Sequence, residues 1–372
     1  MQLTVALKLR PTTEQATALR RTVEQANAAA NTVSAAAWDA QTFGQFKLHK
    51  LVYADTRAST GLTAQIVVRV IAKVADAYTL DRARRRRFAP LGSVAYDDRV
   101  VRYRAQSVSI WTVAGRQEIG FVCGTRQRAL LARRRGESNL VYRSGQWFLY
   151  ATVDVSEPPL QDVADYLGVD LGIVNVAADS DGRLWAGGQV NGVRHRHRRL
   201  RRRLQRKDTR SARRLLRARR RKEQRFGTHV NHTLSKRLVA EAQGTDRGIA
   251  LEDLGGIRGR VAARRPQRAT LHCWAFNQLR QHIAYKARLA GVPVVYVDPR
   301  NTSRTCPACG LVDTRNRASQ AKFQCVSCGL LGLADTIAAR NIRIRGRGVG
   351  NASTRRGAVS RSEAPSGKCR PL

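Results

Sequence analysis

Acidic residues are scarce in this chain. Its 372 residues include 27 Asp and Glu against 68 Lys and Arg, a formal net charge of +41. Such an excess repels itself in a compact fold unless a polyanion screens it. Nucleic acid is the obvious polyanion, and the preference for Arg over Lys suits two-pronged contact with phosphate. A proteome biased toward Arg would explain that preference but not the shortage of acids. Long apolar runs are also missing. No stretch reaches the roughly 20 residues of a membrane span, so no membrane partner is expected. Residues 2–9, Gln-Leu-Thr-Val-Ala-Leu-Lys-Leu, alternate as a strand does and lack the basic start and apolar run of a secretory leader. Cysteine is sparse and odd in number. Of seven, four lie in two C-x-x-C pairs, and Cys123, Cys273 and Cys369 are scattered. That excludes a disulfide framework and points to a reducing compartment with one metal site.

What is present suffices for a folded protein. Hydrophobic residues make up 42% of the chain, and its length allows two or three domains. After the first strand, Thr12 with Gln15 resembles a capping box, and Ala16, Leu19, Val23, Ala26, Ala30 and Val33 recur at helical spacing. A second helical stretch covers about 63–83, so residues 11–85 are expected to form a helical block. From about 92 to 155 the pattern becomes short alternating segments: Val100–Tyr103, Ser107–Val113, Glu118–Cys123 and Trp147–Val155. These predict a β-barrel-type unit with the helical block inserted after its first strand. Tyr166–Leu171, Val174–Ala178 and Arg183–Ala186 predict a three-strand meander. One long helical region is expected over about 193–242, then a strand ending at Glu252, a loop 255–269, a helix about 270–290 and a strand Val292–Val297. A cysteine-bearing insertion (about 299–331) and a short helix from Ala334 to Ile344 close the fold. The Gly-, Ser- and Arg-rich segment 346–372 is expected to be a disordered basic tail.

Between Arg194 and Arg225 the chain carries 16 Arg and two Lys, with Asp208 and Glu223 as the acids. A merely solvated basic helix is the bland alternative, but like charges at i, i+4 destabilise an isolated helix. Phosphates lying along it would remove that cost and position a duplex without reading its sequence. Arg198, Arg202, Arg206, Arg213, Arg217 and Arg220 are the candidate contacts. Cys306-Pro-Ala-Cys309-Gly and Cys325-Val-Ser-Cys328-Gly form the metal candidate. Four thiolates close a tetrahedron with no open position, so the zinc they would hold is structural. Arg304, Arg315, Arg317 and Lys322 on or near that module are further candidates for nucleic-acid contact.

Three acids stand at the ends of predicted elements. Asp170 lies in Gly168-Val-Asp-Leu-Gly172, Glu252 in Ala250-Leu-Glu-Asp-Leu254, and Asp335 opens the last helix. An acid among strand-forming apolar residues is costly unless a cation or hydrogen bonds receive it. Two divalent ions about 3.5–4 Å apart need shared carboxylates and clamp an in-line phosphodiester displacement. Hard oxygen donors suit Mg²⁺ or Mn²⁺. For any one acid alone, a strand-end turn or helix cap is the commoner case. Strand alternation puts Asp253 on the face opposite Glu252, so only one of the two can join such a site.

From about Tyr166 to Ile342 the chain resembles TnpB, the accessory protein of certain insertion sequences, and its relatives the type V CRISPR effectors. The stretches that carry the resemblance are Gly168–Gly172, Leu251-Glu-Asp-Leu254, Thr302-Ser-Arg-Thr-Cys306-Pro-Ala-Cys309-Gly310, Ser319–Phe323 and Asp335-Thr-Ile-Ala-Ala-Arg-Asn341-Ile342, with Tyr285-Lys-Ala287. The first 160 residues match only in layout. The resemblance implies a multidomain α+β protein: a wedge-like barrel (1–10 and 86–160), a helical recognition insertion (11–85), a ribonuclease-H-like RuvC domain (161–298 and 332–345) and an inserted zinc ribbon (299–331). It implies Asp170, Glu252 and Asp335 as ligands of two Mg²⁺ or Mn²⁺ ions, and one structural Zn²⁺. It implies an RNA-guided DNA endonuclease with guide RNA and double-stranded DNA as partners, in which pairing with the guide reads the target. A cytoplasmic, nucleoid-associated setting in a prokaryote is the matching expectation. The family usually has Asn two residues after the last aspartate; here it is Ile337, which cannot donate a hydrogen bond to a neighbouring carboxylate. Alternatives are a non-cutting RNA-guided repressor, a compact CRISPR effector and a DNA transposase.

Overall fold

The computed structural model describes residues 1–219, 222–254 and 276–355. The chain divides into two compact units, Met1–Ser156 and Glu157–Leu372. In the first, β1 (Gln2–Arg10) is followed by α1 (Thr13–Asp39), α2 (Gln45–Ser59) and α3 (Ala64–Leu80). Then come β2 (Val94–Tyr96), β3 (Val101–Tyr103), β4 (Ser107–Thr112), β5 (Gly115–Val122), α4 (Thr125–Leu131), β6 (Arg134–Arg143) and β7 (Gln146–Asp154). Thr12 and Gln15 form the expected capping box, and Leu19, Val23, Ala26, Ala30 and Val33 are buried along α1. The strands make one antiparallel sheet in the order β2-β6-β7-β1-β5-β4-β3. It nearly closes: Tyr103 Oη on edge strand β3 lies 2.6 Å from Ser138 Oγ on β6.

Helices α1–α3 lie between β1 and β2, and α2, α4, β2 and β6 have no segment of their own among those expected from the sequence. β6 begins Arg134-Arg-Gly-Glu-Ser and lacks apolar alternation in its first half. A register shift there, with Gly136 at φ 72°, takes those polar residues out of the regular pattern.

In the second unit, β8 (Tyr166–Asp170), β9 (Asn175–Asp179) and β10 (Leu184–Ala186) form the expected meander. Asp179 Oδ1 closes its second turn, accepting from the backbone N–H of Asp181 and Arg183 at 3.1 and 2.8 Å. The basic region is not one unbroken helix: α5 (Gly188–Lys207) ends before α6 (Arg210–Arg219), and α7 (Lys222–Gly244) follows beyond residues 220–221, which lie outside the described residues. Asp208 breaks it by entering the left-handed region at φ 42°, and the Thr209 hydroxyl then receives the Ala212 N–H of α6. β11 (Gly248–Glu252) lies between β8 and β12 (Val294–Val297), parallel to both, in the sheet order β10-β9-β8-β11-β12. Helix α8 spans Phe276–Ala290; the expected loop 255–269 and the start of that helix lie outside the described residues. The cysteine module carries the hairpin β13 (Lys322–Gln324) and β14 (Leu331–Leu333).

The last helix, α9 (Ala334–Arg355), corrects the expectation that order ends near 345. Gly346, read as part of a loose tail, is buried, and a Cβ there would stand 2.6 Å from that of Ala250. It marks a close crossing of helix and strand. The rest of the tail, 356–372, lies outside the described residues.

Alternation along β8 and β11 gives the sheet two working faces. Leu167, Val169, Ile249 and Leu251 pack into one core with Leu238 of α7 and Ile283 of α8. Tyr166 and Ala250 pack against Ile342 of α9 on the other. Gly168 shares that second face, and a Cβ on it would stand 2.1 Å from the Ala339 carbonyl oxygen and 2.6 Å from the Arg343 nitrogen. Backbone cannot yield as a side-chain tip can, so only glycine fits. Gly168→Val should destabilise this unit by about 3 kcal/mol or more, read as a lowered midpoint in chemical denaturation. A midpoint equal to the parent's would show that α9 does not lie this close to β8.

Candidate carboxylate cavity and cysteine module

Asp170 ends β8 and Glu252 ends β11, each in step with Gly168 and Ala250 and hence on the α9 face. Asp335 stands in the first turn of α9. The three therefore converge from elements far apart in sequence and line one cavity of about 430 Å³. Asp253 points elsewhere, accepting from Arg280 at 3.1 Å, as alternation requires.

The cavity is electrostatically uncomfortable. Burial, then the like charges of Glu252 and Asp335, push Asp170 up to about 7, and Arg317 offsets only part of this. Burial also raises Glu252, against a hydrogen bond from the Thr302 hydroxyl at 2.5 Å and the charge of Arg345. Asp335 accepts from Asn175 Nδ2 at 2.8 Å. Thus neutral donors orient two of the acids, while Arg317, from the cysteine module, brings a cation to the cavity wall. Crowded oxygen donors short of positive charge fit hard divalent cations.

Ile337 does not face this cavity. It is buried with Cys306, Phe323, Cys325 and Ala334 in the small core of the cysteine module. An Asn there would bury its amide among apolar groups. Asn175 gives Asp335 the hydrogen bond that the departure at Ile337 had put in question.

Among the described residues the four module cysteines alone bring ligand atoms all within 4.8 Å of one another. The Sγ atoms of Cys306 and Cys328, and of Cys309 and Cys325, are 3.5 Å apart. Zinc–sulfur bonds of about 2.3 Å in a tetrahedron set such edges near 3.8 Å, so the sulfurs suit one zinc. Gly310 and Gly329 turn each knuckle at φ 77° and 73°. Asn316, fully buried, ties the module together: its amide donates to the Arg304 and Leu311 carbonyls at 3.0 and 3.1 Å, and its oxygen receives the Val326 N–H at 2.9 Å.

The expected phosphate contacts fall into groups. Arg202, Arg206 and Arg217 are exposed on α5 and α6, and Arg198 is half-buried. Arg213 is exposed but grips Asp208 with two hydrogen bonds, at 2.9 and 2.7 Å. Arg315 is held by Asp313 at 2.7 Å, whereas Arg304 and Lys322 are exposed. Arg220 lies outside the described residues. Arg317, read only as a possible nucleic-acid contact, stands at the acids. Asn175 and Asn316 carried no sequence signal beyond their residue type.

Two family models match the chain: one described as a probable transposase, over residues 148–254, and one as the Cas12f1-like TNB domain, over residues 276–342. The chain is thus a relative of the TnpB and Cas12f1 proteins, as its motifs suggested. It is 41% identical over 123 residues to the CRISPR-associated endodeoxyribonuclease Cas12f1 of Sulfoacidibacillus thermotolerans, covering 32% of this chain and 27% of that protein. It is 36% identical over 121 residues to a TnpB-like protein of Methanocaldococcus jannaschii, covering 32% of this chain and 43% of that one. The chain therefore spans less than half the length of either relative. A cryo-EM structure of a Cas12f1–sgRNA–target DNA complex shares the fold, with a TM-score of 0.60 at 14% identity over 89% of this chain and 83% of that one.

The raised Asp170 makes stability depend on pH. An ordinary Asp ionises near 3.8, so between that pH and about 7 the folded chain binds the extra proton. Metal-free stability should therefore fall as pH rises through that window. A cation that takes the ionised form reverses this. Adding Mn²⁺ should raise the melting temperature by several degrees at pH 8 and by little at pH 5.5. Equal shifts at both would mean that Asp170 takes no part in binding.

Proposed function

We propose that this chain is an RNA-guided DNA endonuclease that hydrolyses a phosphodiester of guide-paired DNA at the Asp170–Glu252–Asp335 cavity. The observation that carries this reading is the meeting of three acids from β8, β11 and α9 in one cavity where their repulsion is only partly offset. The sheet order β10-β9-β8-β11-β12, with an antiparallel meander, two parallel strands and α9 across one face, supports reading this unit as a ribonuclease-H-like domain. Residues 161–298 and 332–345 would form a RuvC-type nuclease around the zinc ribbon at 299–331, and residues 1–160 the wedge-like barrel with its helical recognition insertion.

In this reading the three acids hold two divalent ions. Bound Mg²⁺ or Mn²⁺ would supply an activated water and neutralise the leaving oxygen. The chain's own residues do the positioning. Asn175 orients Asp335, and Arg317 offers a cation to an oxygen of the scissile phosphate. Arg202, Arg206 and Arg217 hold the duplex by its backbone, which carries no sequence information. Specificity then has to come from base pairing with a guide. The Cas12f1 relative is named an endodeoxyribonuclease, and the matched fold was seen with guide RNA and target DNA; both support this assignment of partners. The Cas12f1 likeness equally favours a compact CRISPR effector, which a neighbouring repeat array would distinguish.

Purified with its co-expressed RNA, the protein should cut guide-matched DNA in Mg²⁺. Asp170→Ala should lower cutting to background while the RNA still copurifies. Undiminished cutting would refute the assignment of the site. DNA affinity should fall steeply with salt, with a log–log slope of several units in magnitude because many phosphates are contacted. A flat slope would remove α5 and α6 from the interface.

A further inference from the structure

The segment between β12 and Cys306 joins the cysteine module to the sheet, and α9 holds it by its backbone. Asn341, buried on α9, donates through Nδ2 to the Thr302 and Thr305 carbonyl oxygens, both at 2.7 Å. One turn further on, Arg345 donates to the Asp298 and Arg300 carbonyl oxygens, both at 2.7 Å. Four carbonyls of this segment are thus fixed by two side chains of the helix that bears Asp335. The fixed segment in turn presents one hydroxyl to the cavity. Thr302 is 3% exposed, and its Oγ1 stands 2.5 Å from Glu252 Oε1, the length of a charge-assisted bond, and 3.0 Å from the Pro299 carbonyl. A hydroxyl has one proton, and the carboxylate is the nearer and stronger acceptor.

The same segment runs directly into the metal knuckles. Thr305 pairs with Val312 across the first knuckle, and the carbonyl of Arg304 is one of the atoms that Asn316 ties to Val326 in the second. A continuous hydrogen-bonded path therefore leads from both C-x-x-C turns to one oxygen of Glu252. A zinc ribbon needed only for folding could be joined to the sheet by any loop. Here its entry segment supplies the hydrogen-bond donor of an acid in the carboxylate cavity.

We infer that Thr302 and Asn341 are positioning residues of the carboxylate site. Asn341 fixes the backbone of residues 302–305, and that backbone holds the Thr302 hydroxyl on Glu252, so the cysteine module sets the orientation of a metal-ligating acid. This rests on the function proposed above. Hydrogen-bond partners of metal ligands typically contribute about 10- to 100-fold in affinity or activity.

The test uses the full chain with its copurified RNA. Mn²⁺ affinity is measured by electron paramagnetic resonance, DNA cleavage is followed against Mn²⁺ concentration, and bound zinc is measured in every preparation. Thr302→Val keeps the shape and removes the donor. It should weaken Mn²⁺ binding about tenfold or more at unchanged zinc content, with cleavage restored by excess Mn²⁺. Asn341→Ala should do the same, and Thr302→Ser should bring affinity back near the parent's. Parental Mn²⁺ affinity in Thr302→Val overturns the inference. So does a loss of about tenfold or more in Thr302→Ser, an outcome that remains informative if the valine variant fails to fold. Glu252→Gln separates the two readings. If it abolishes cleavage while Thr302→Val changes nothing, only the positioning role fails. If Glu252→Gln leaves Mn²⁺ binding and cleavage intact, the proposed nuclease site itself fails.

Discussion

Three carboxylates share one cavity in which water is partly excluded, and the opposing charge of Arg317 and Arg345 offsets only part of their burial and repulsion. Left alone, such a group lowers its energy by taking up protons or moving apart. The second unit opposes separation because each acid is attached to an element packed into the fold. Asp170 and Glu252 terminate neighbouring parallel strands, and their register is held by the β8–β11 ladder. Asp335 is carried by a helix in backbone contact with the same strands through Gly168 and Gly346. The repulsion is therefore retained by the fold, and it is available to drive cation binding.

Helix α9 coordinates most of this arrangement. Its faces meet different partners: Asp335 faces the cavity, Ile337 the cysteine module, Ala339 and Ile342 the sheet, and Asn341 and Arg345 the segment that leads to Cys306. A helix with a 3.6-residue repeat can divide its contacts in this way within a few turns. The same division explains why Ile is accommodated at position 337. Position 337 belongs to the apolar stripe, and the polar requirement of Asp335 is met from β9 by Asn175.

The basic helices follow a different logic. α5 and α6 bury little, chiefly Val190, Leu204 and Ala212, and expose most of their arginines. Their stability owes little to a core, and like charges along them oppose folding. A polyanion laid on them would relieve that strain. Arg213 and Arg315 show that exposure alone does not make a contact, since each already grips an acid nearby in sequence.

What the sequence determined by itself was whatever depends on local spacing. The capping box at Thr12, the alternation of β8 and β11 that separates Glu252 from Asp253, and the two cysteine knuckles all follow from period and residue type over a few positions. Strand β6 was illegible because a bulge displaces its polar half, and the end of α9 because Gly346 has the composition of a loop while serving a close crossing. The convergence of Asp170, Glu252 and Asp335, the partners Asn175 and Thr302, the turning of Ile337 toward the module, and the placing of Arg317 at the acids were decided only in three dimensions. Each joins residues far apart along the chain, and no local period records which distant side chain a buried oxygen will meet.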